Sequence, residues 1–245
     1  MITKNIKEIR IGKKLAQPLY EIDYLTDNRD DTGERSSRSI TLHPGIPSKG
    51  DIINAIVRDQ YPTDKMEAVT NNYMQNLSDM TYASEFMAMQ QWRCKAKEIA
   101  CEALLVINDG NDDFDRLDMV RQLIRSRIEN YDISDNVDAF LINGRKHWMP
   151  KPVRESLVMT LREFEKAGIQ SFPFELDGNA HELPCIALSG MVTEVEVYAT
   201  QCMAVTKRHL AVIETLATES ELMEYDFTVG YHGMPNFEID FINND

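Results

Sequence analysis

The chain has 245 residues, 43% of them hydrophobic, enough apolar material for one sizeable core or two modest ones without a covalent staple. Its 40 acids outnumber 26 Lys and Arg, a formal net charge of −14 that argues against any partner bound through phosphate neutralisation, so nucleic acid is a disfavoured partner. No Lys or Arg follows Arg208, and the acidic end suits a basic surface on a partner or on another copy.

In chain order, residues 1–47 read as a β-rich head. The runs "IKEIRIG", "PLYEIDYL" and "SRSITLHPGI" are β-prone, and the polar stretch Thr26–Ser39, with little to bury, is expected to be a long mobile loop. Residues 48–107 form a helical segment. Ser48 is placed to cap a helix bearing Ile52, Ile53, Ile56 and Val57; Pro62 ends it, and Met66, Val69, Tyr73 and Leu77 then recur at helical spacing. A third helix carries Phe86, Met89, Trp92, Ala96, Ile99 and Ala103 along one stripe. The first ten residues, "MITKNIKEIR", hold no apolar segment, and no apolar run approaches the roughly 18 residues of a membrane span, so a soluble chain with no membrane partner is expected.

Residues 108–138 are an acidic loop and a linking helix. Counted from Asp109, the loop has calcium-ligand spacing at Asn111 and Asp113, but Phe114 stands where the EF-hand needs glycine and Val120 where it needs a bidentate Glu. The expected role of Asp113 or Asp115 is therefore to cap the helix that holds Leu117, Val120, Leu123, Ile124 and Ile128. The four cysteines, Cys94, Cys101, Cys185 and Cys202, lack C-x-x-C spacing and read as buried thiols in a reducing compartment.

Residues 139–235 open on a repeated phrase: "FLINGRKHWMP" returns thirty-four residues later as "FELDGNAHELP". Asn-Gly and Asp-Gly are favoured centres of two-residue type I′ turns, whose central positions both need φ > 0. Asn143-Gly144 and Asp177-Gly178 are thus turn residues of two β-hairpins, with Phe140 facing His147 and Phe174 facing His181. A helix follows each, begun by Pro152 or Pro184. In the second, Leu188, Val195, Cys202, His209 and Leu216 recur every seven residues with Met191, Tyr198, Val205 and Val212 between them, a seam suited to an intramolecular bundle or to an oligomer. Its His209 is expected to be a hydrogen-bonded core residue. Residues 236–245 contain "NFEIDFI", an alternating strand expected to add to a sheet in this chain or, since an apolar strand is costly alone, in a partner.

Chemical motifs are sparse. Neither phosphate-loop glycine pattern occurs, and "HELPC" resembles a zinc spacing only faintly, lacking the second cysteine. The expectation is a non-enzyme with no catalytic, metal or cofactor-binding residues. The enzyme alternative rests on His147, His181 or Cys185. "RKHWMPKPVR" concentrates Arg145, Lys146 and Trp148, which, with Tyr231, Phe237 and Phe241, are the candidate interface residues.

The stretch from Phe174 to Pro235 then resembles a small domain of unknown function found at the C-termini of bacteriophage tail fibre and tail-associated proteins. Tyr198, Ala199 and Cys202, then His209, then Tyr225, Asp226, Phe227, Gly230 and Tyr231 carry the likeness over about residues 140–235; upstream, Asn72-Tyr73 and Met89 to Arg93 are also similar to phage tail sequences. The resemblance implies a virion protein made in the host cytoplasm, its partners other tail or fibre proteins and further copies of itself. With no glycine-repeat shaft, a compact adaptor or connector is expected rather than a fibre, the alternative being a fibre-assembly factor absent from the particle. The expected fold is α+β and mainly helical: a β-containing N-terminal head, a helical middle and a C-terminal hairpin and long-helix domain.

Overall fold

The computed structural model describes residues 3–12, 18–29, 31–77, 79–137, 139–176 and 179–239. The fold is α+β and mainly helical, with a β-sheet at the N-terminus. Two compact units divide the chain: the first gathers Met1–Thr70, Met87–Asn130 and Arg208–Phe227, the second Asn71–Phe86, Tyr131–Lys207 and Thr228–Asp245.

In the first unit, β1 (Ile6–Gly12), β2 (Leu19–Arg29) and β3 (Arg35–Thr41) pair antiparallel in that order. Strict alternation along β2 buries Tyr20, Ile22, Tyr24 and Thr26 on one face. Contrary to the expected mobile loop over Thr26–Ser39, most of that stretch is strand: β2 runs on to Arg29 and β3 begins at Arg35. Arg35 explains how so polar a segment becomes ordered. Its guanidinium donates to the carbonyls of Thr26 and Leu25 and to the side chains of Asn5 and Asp27, while the Thr26 hydroxyl donates to the Ser36 carbonyl. Hydrogen bonds from one multivalent donor replace the apolar burial that the sequence lacks there.

Against this sheet core pack α1 (Lys49–Gln60), part of α3 (Met80–Ile107) and most of α4 (Arg116–Asp132), with Ile22, Ile52, Ile56, Ile99 and Leu123 fully buried. Ser48 caps α1 as expected, in a reciprocal box with Asp51. Asp115, rather than Asp113, accepts the Asp118 N–H at the start of α4, at 2.9 Å. The core also holds a polar seam. Glu102, fully buried, accepts from the Asn5 backbone at 2.7 Å, the Asn5 amide at 3.1 Å and Arg127 at 3.1 Å, and the adjacent Glu98 accepts from Asn130 at 2.7 Å. A buried carboxylate persists only when its lone pairs are answered in this way.

The second unit is built from two hairpins and the helices that follow them. β4 (Phe140–Ile142) and β5 (Arg145–His147) precede α5 (Lys151–Lys166); β6 (Ser171–Leu176) and β7 (Asn179–Pro184) precede α6 (Cys185–Thr215). The registers are those the turn dipeptides dictate: Phe140 opposite His147 and Ile142 opposite Arg145, then Phe174 opposite His181 and Leu176 opposite Asn179. Asn143 and Gly144 have φ of 49° and 75°. Asp177 and Gly178 lie outside the described residues. Pro152 stands in the first turn of α5, whereas Pro184 closes β7 one residue before α6 begins. Met149, Leu157, Leu161, Leu183, Leu188 and Val192 form the apolar centre of this unit.

The inward seam of α6 is real but not heptadic to its end. Leu188, Met191, Val195, Tyr198, Cys202, Val205 and His209 are buried, and then Ile213, not Val212, takes the fully buried place. A straight helix of 3.6 residues per turn falls behind a seven-residue repeat by about 20° each heptad, so after three heptads the next residue along faces inward.

Candidate functional site

The segment richest in unexpected contacts is the Asn143 hairpin. β8 (Asn236–Phe237) lies parallel to β4, making a three-stranded sheet in the order β5-β4-β8. The described start of the strand expected to add to a sheet in this chain or in a partner, residues 236–239, thus joins a sheet of its own chain. Leu141 N–H donates to the Pro235 carbonyl at 2.8 Å and Asn143 N–H to the Phe237 carbonyl at 2.9 Å. Asn143 then extends the ladder with its own side chain. Its amide oxygen accepts the Ile239 N–H at 2.8 Å and its amide nitrogen donates to the Ile239 carbonyl at 3.0 Å, a two-bond match that imitates a backbone neighbour. From the other side the Asn236 amide oxygen accepts the Gly144 N–H at 3.3 Å.

The candidate interface residues divide. Phe237 is half-buried and meets Phe140 edge-on, ring centroids 6.2 Å apart. Arg145 and Lys146 are exposed on β5, the opposite edge of the sheet, where Lys146 is bridged to Asp135 at 3.1 Å, and Trp148 is half-buried. Tyr231 belongs to another cluster, with Tyr131, Val137, Tyr198 and Cys202. Its hydroxyl lies 2.9 Å from that of Thr206, which donates to Asp132, and burial raises its pKa above the usual phenol value. Phe241 lies outside the described residues. Asn143, Gly144 and Phe237 are therefore brought together, with Arg145 and Lys146 on the adjoining strand β5, while Tyr231 belongs to the other cluster. Sequence reasoning did not find Asn236 or Ile239 as partners, since parallel pairing at a separation of nearly a hundred residues leaves no local signal, nor Asp135, an exposed acid in an irregular stretch that no periodicity places.

The residues of the enzyme alternative have local structural settings. The His147 ring lies 6.2 Å from that of Phe140, its buried Nε2 without a hydrogen-bond partner among the described residues; His181 stands across from Phe174; Cys185 is buried at the start of α6. Among the described residues no group of three or more His, Cys, Asp or Glu can hold a metal ion. None of the four cysteines forms a disulfide, and burial raises the thiol pKa values of Cys94, which is half-buried, and Cys101. In the first unit, His209 Nδ1 lies 2.6 Å from the Tyr225 hydroxyl, the hydrogen-bonded core histidine that the sequence pointed to. No helix among the described residues is long and apolar enough to cross a membrane.

Compared with protein-family models, with curated proteins and with solved structures, the chain has no match.

Proposed function

We propose that this protein is a non-enzymatic structural component of a bacteriophage tail, an adaptor or connector at the tail or tail-fibre junction that works through contacts with other virion proteins. The observation that carries this reading is the fate of the residues behind the phage resemblance, which serve packing and turns. Tyr198 donates to the Val137 carbonyl at 2.8 Å, Cys202 is buried beside it, Gly230 turns the chain at φ 84°, and Tyr231 reaches Thr206. Separately, His209 bonds Tyr225 and Phe227 packs on the first unit's core. A motif spent on packing supports a module whose product is its surface, and a fold-level likeness alone does not supply a reaction.

Peptide mass spectrometry on purified particles beside the lysate of infected cells tests this. Abundant peptides in the particle are the expected result. Peptides in the lysate alone overturn it in favour of an assembly factor, and activity or bound metal lost on substituting His147 or His181 overturns it in favour of an enzyme.

A further inference from the structure

Asn143 is the one asparagine of the chain that glycine follows. An asparagine side chain is open to attack by the backbone nitrogen of the next residue, and glycine, with no side chain to screen that nitrogen, permits the attack most readily. The Gly144 nitrogen gives up its proton and bonds Asn143 Cγ, the Cγ–Nδ2 bond breaks, and ammonia leaves. A succinimide ring remains. Water then adds to one of its two carbonyls and opens it to aspartate or isoaspartate, with no oxidant or reductant consumed. Both reactants sit at an exposed turn, so water has free access to them.

In the folded chain each reactant is held. Gly144 N–H donates to Asn236 Oδ1 at 3.3 Å, and the Asn236 amide nitrogen is itself anchored on Glu238 at 3.1 Å. The Asn143 amide is fixed at both ends on Ile239, at 2.8 and 3.0 Å. Bringing Cγ to the Gly144 nitrogen swings the amide off Ile239, which breaks both of those bonds together, and freeing the nitrogen breaks the third. All three end on Asn236 and Ile239, so departure of that one segment releases both reactants at once. β8 is a strand of two residues at the edge of its sheet, the kind of element that opens without global unfolding. We propose that Asn143 is a self-modification site, closed to deamidation while residues 236–239 are seated on it and open when they lift away. The change runs one way. Aspartate at 143 has no donor for the Ile239 carbonyl, and isoaspartate routes the main chain through the former side chain, adding a methylene to a turn whose length sets the register of β4 and β5. A chain that reacts while open regains its clasp in part as aspartate and not at all as isoaspartate.

This goes beyond the connector reading and is tested on the isolated full chain, so either can fail alone. After warm incubation at neutral pH, peptide mapping by mass is expected to find Asn143 converted at least about tenfold more slowly in the folded chain than in the same chain held unfolded in guanidinium, the population of the locally opened state setting the ratio. Asn236→Ala removes the acceptor of the Gly144 N–H and is expected to raise the folded-state rate by at least about threefold, with melting followed alongside to show that the variant folds. Full chain already converted at Asn143 is expected to be cleaved after Phe237 faster than unreacted chain. Equal rates in the folded and unfolded chain, an Asn236→Ala variant that melts like the parent yet reacts no faster, or converted chain cleaved no faster than unreacted chain would each overturn the inference.

Discussion

At Asn143 a left-handed backbone and a bonded side-chain amide coincide, so substitutions there separate conformation from contact. Asn143→Ala loses both and is expected to destabilise by about 1–2 kcal/mol in urea unfolding. It should also speed proteolysis after Phe237, where β8 loses its clasp. Asn143→Asp keeps the acceptor for the Ile239 N–H but not the donor to its carbonyl, and should fall between the two. Gly144→Val sets a β-branched side chain at φ 75° and is expected to cost more than roughly 1 kcal/mol, with unchanged melting the result that would refute the turn assignment. At the buried His209, Tyr225→Phe removes one partner and should cost about 1 kcal/mol. The turn function of Asn143 was readable because Asn-Gly is a local rule. Its second function depends on Ile239, and no local rule reaches that far.

Among the elements, helix caps give the acid dependence. Hydrogen bonds from the Ser48 hydroxyl and backbone hold the Asp51 pKa below the usual carboxylate value, and the Thr218 hydroxyl with the Ala217 and Thr218 backbones does the same for Glu221 at α7 (Glu219–Glu224). A folded pKa below the unfolded one contributes stability that is fully present above the unfolded carboxylate range, near about 4, and is lost as pH falls through the lower folded value. The helical circular dichroism of the chain should therefore decline below about pH 4, and the Asp51→Asn, Glu221→Gln variant should lose part of that slope. Ser48→Ala should cost about 1 kcal/mol at neutral pH. The helices and both hairpin registers were legible because capping, turn and periodicity signals sit within a few residues of one another. The extension of β2 and β3 was not, because Arg35 orders it through side-chain bonds that composition does not announce.

On the scale of the whole molecule, each unit draws on three separate stretches of chain, and α2 (Thr63–Gln75), α3, α4 and α6 each contribute residues to both. No linker composition or glycine-rich boundary marks such a division, so hydrophobic pattern and charge along the chain could not show it. The core of the first unit instead carries a test in its polar seam. Glu102→Gln leaves Arg127 facing a neutral partner in a fully buried place, and is expected to cost about 3 kcal/mol, read as a melting point lower by roughly 6–12 °C. The inner face of α6 was legible as a seam from its heptads.

The parallel pairing of β8 with β4 also has a bearing on the order of events during synthesis. A chain emerging from the ribosome exposes the Asn143 hairpin long before Asn236 to Ile239 exist, so the free edge of β4 stays uncovered for the roughly ninety residues of synthesis between them. The first unit likewise waits for Arg208–Phe227. Folding of both units then waits on the stretch 208–239, and a product truncated before residue 236 presents an open strand edge of the kind that recruits other chains.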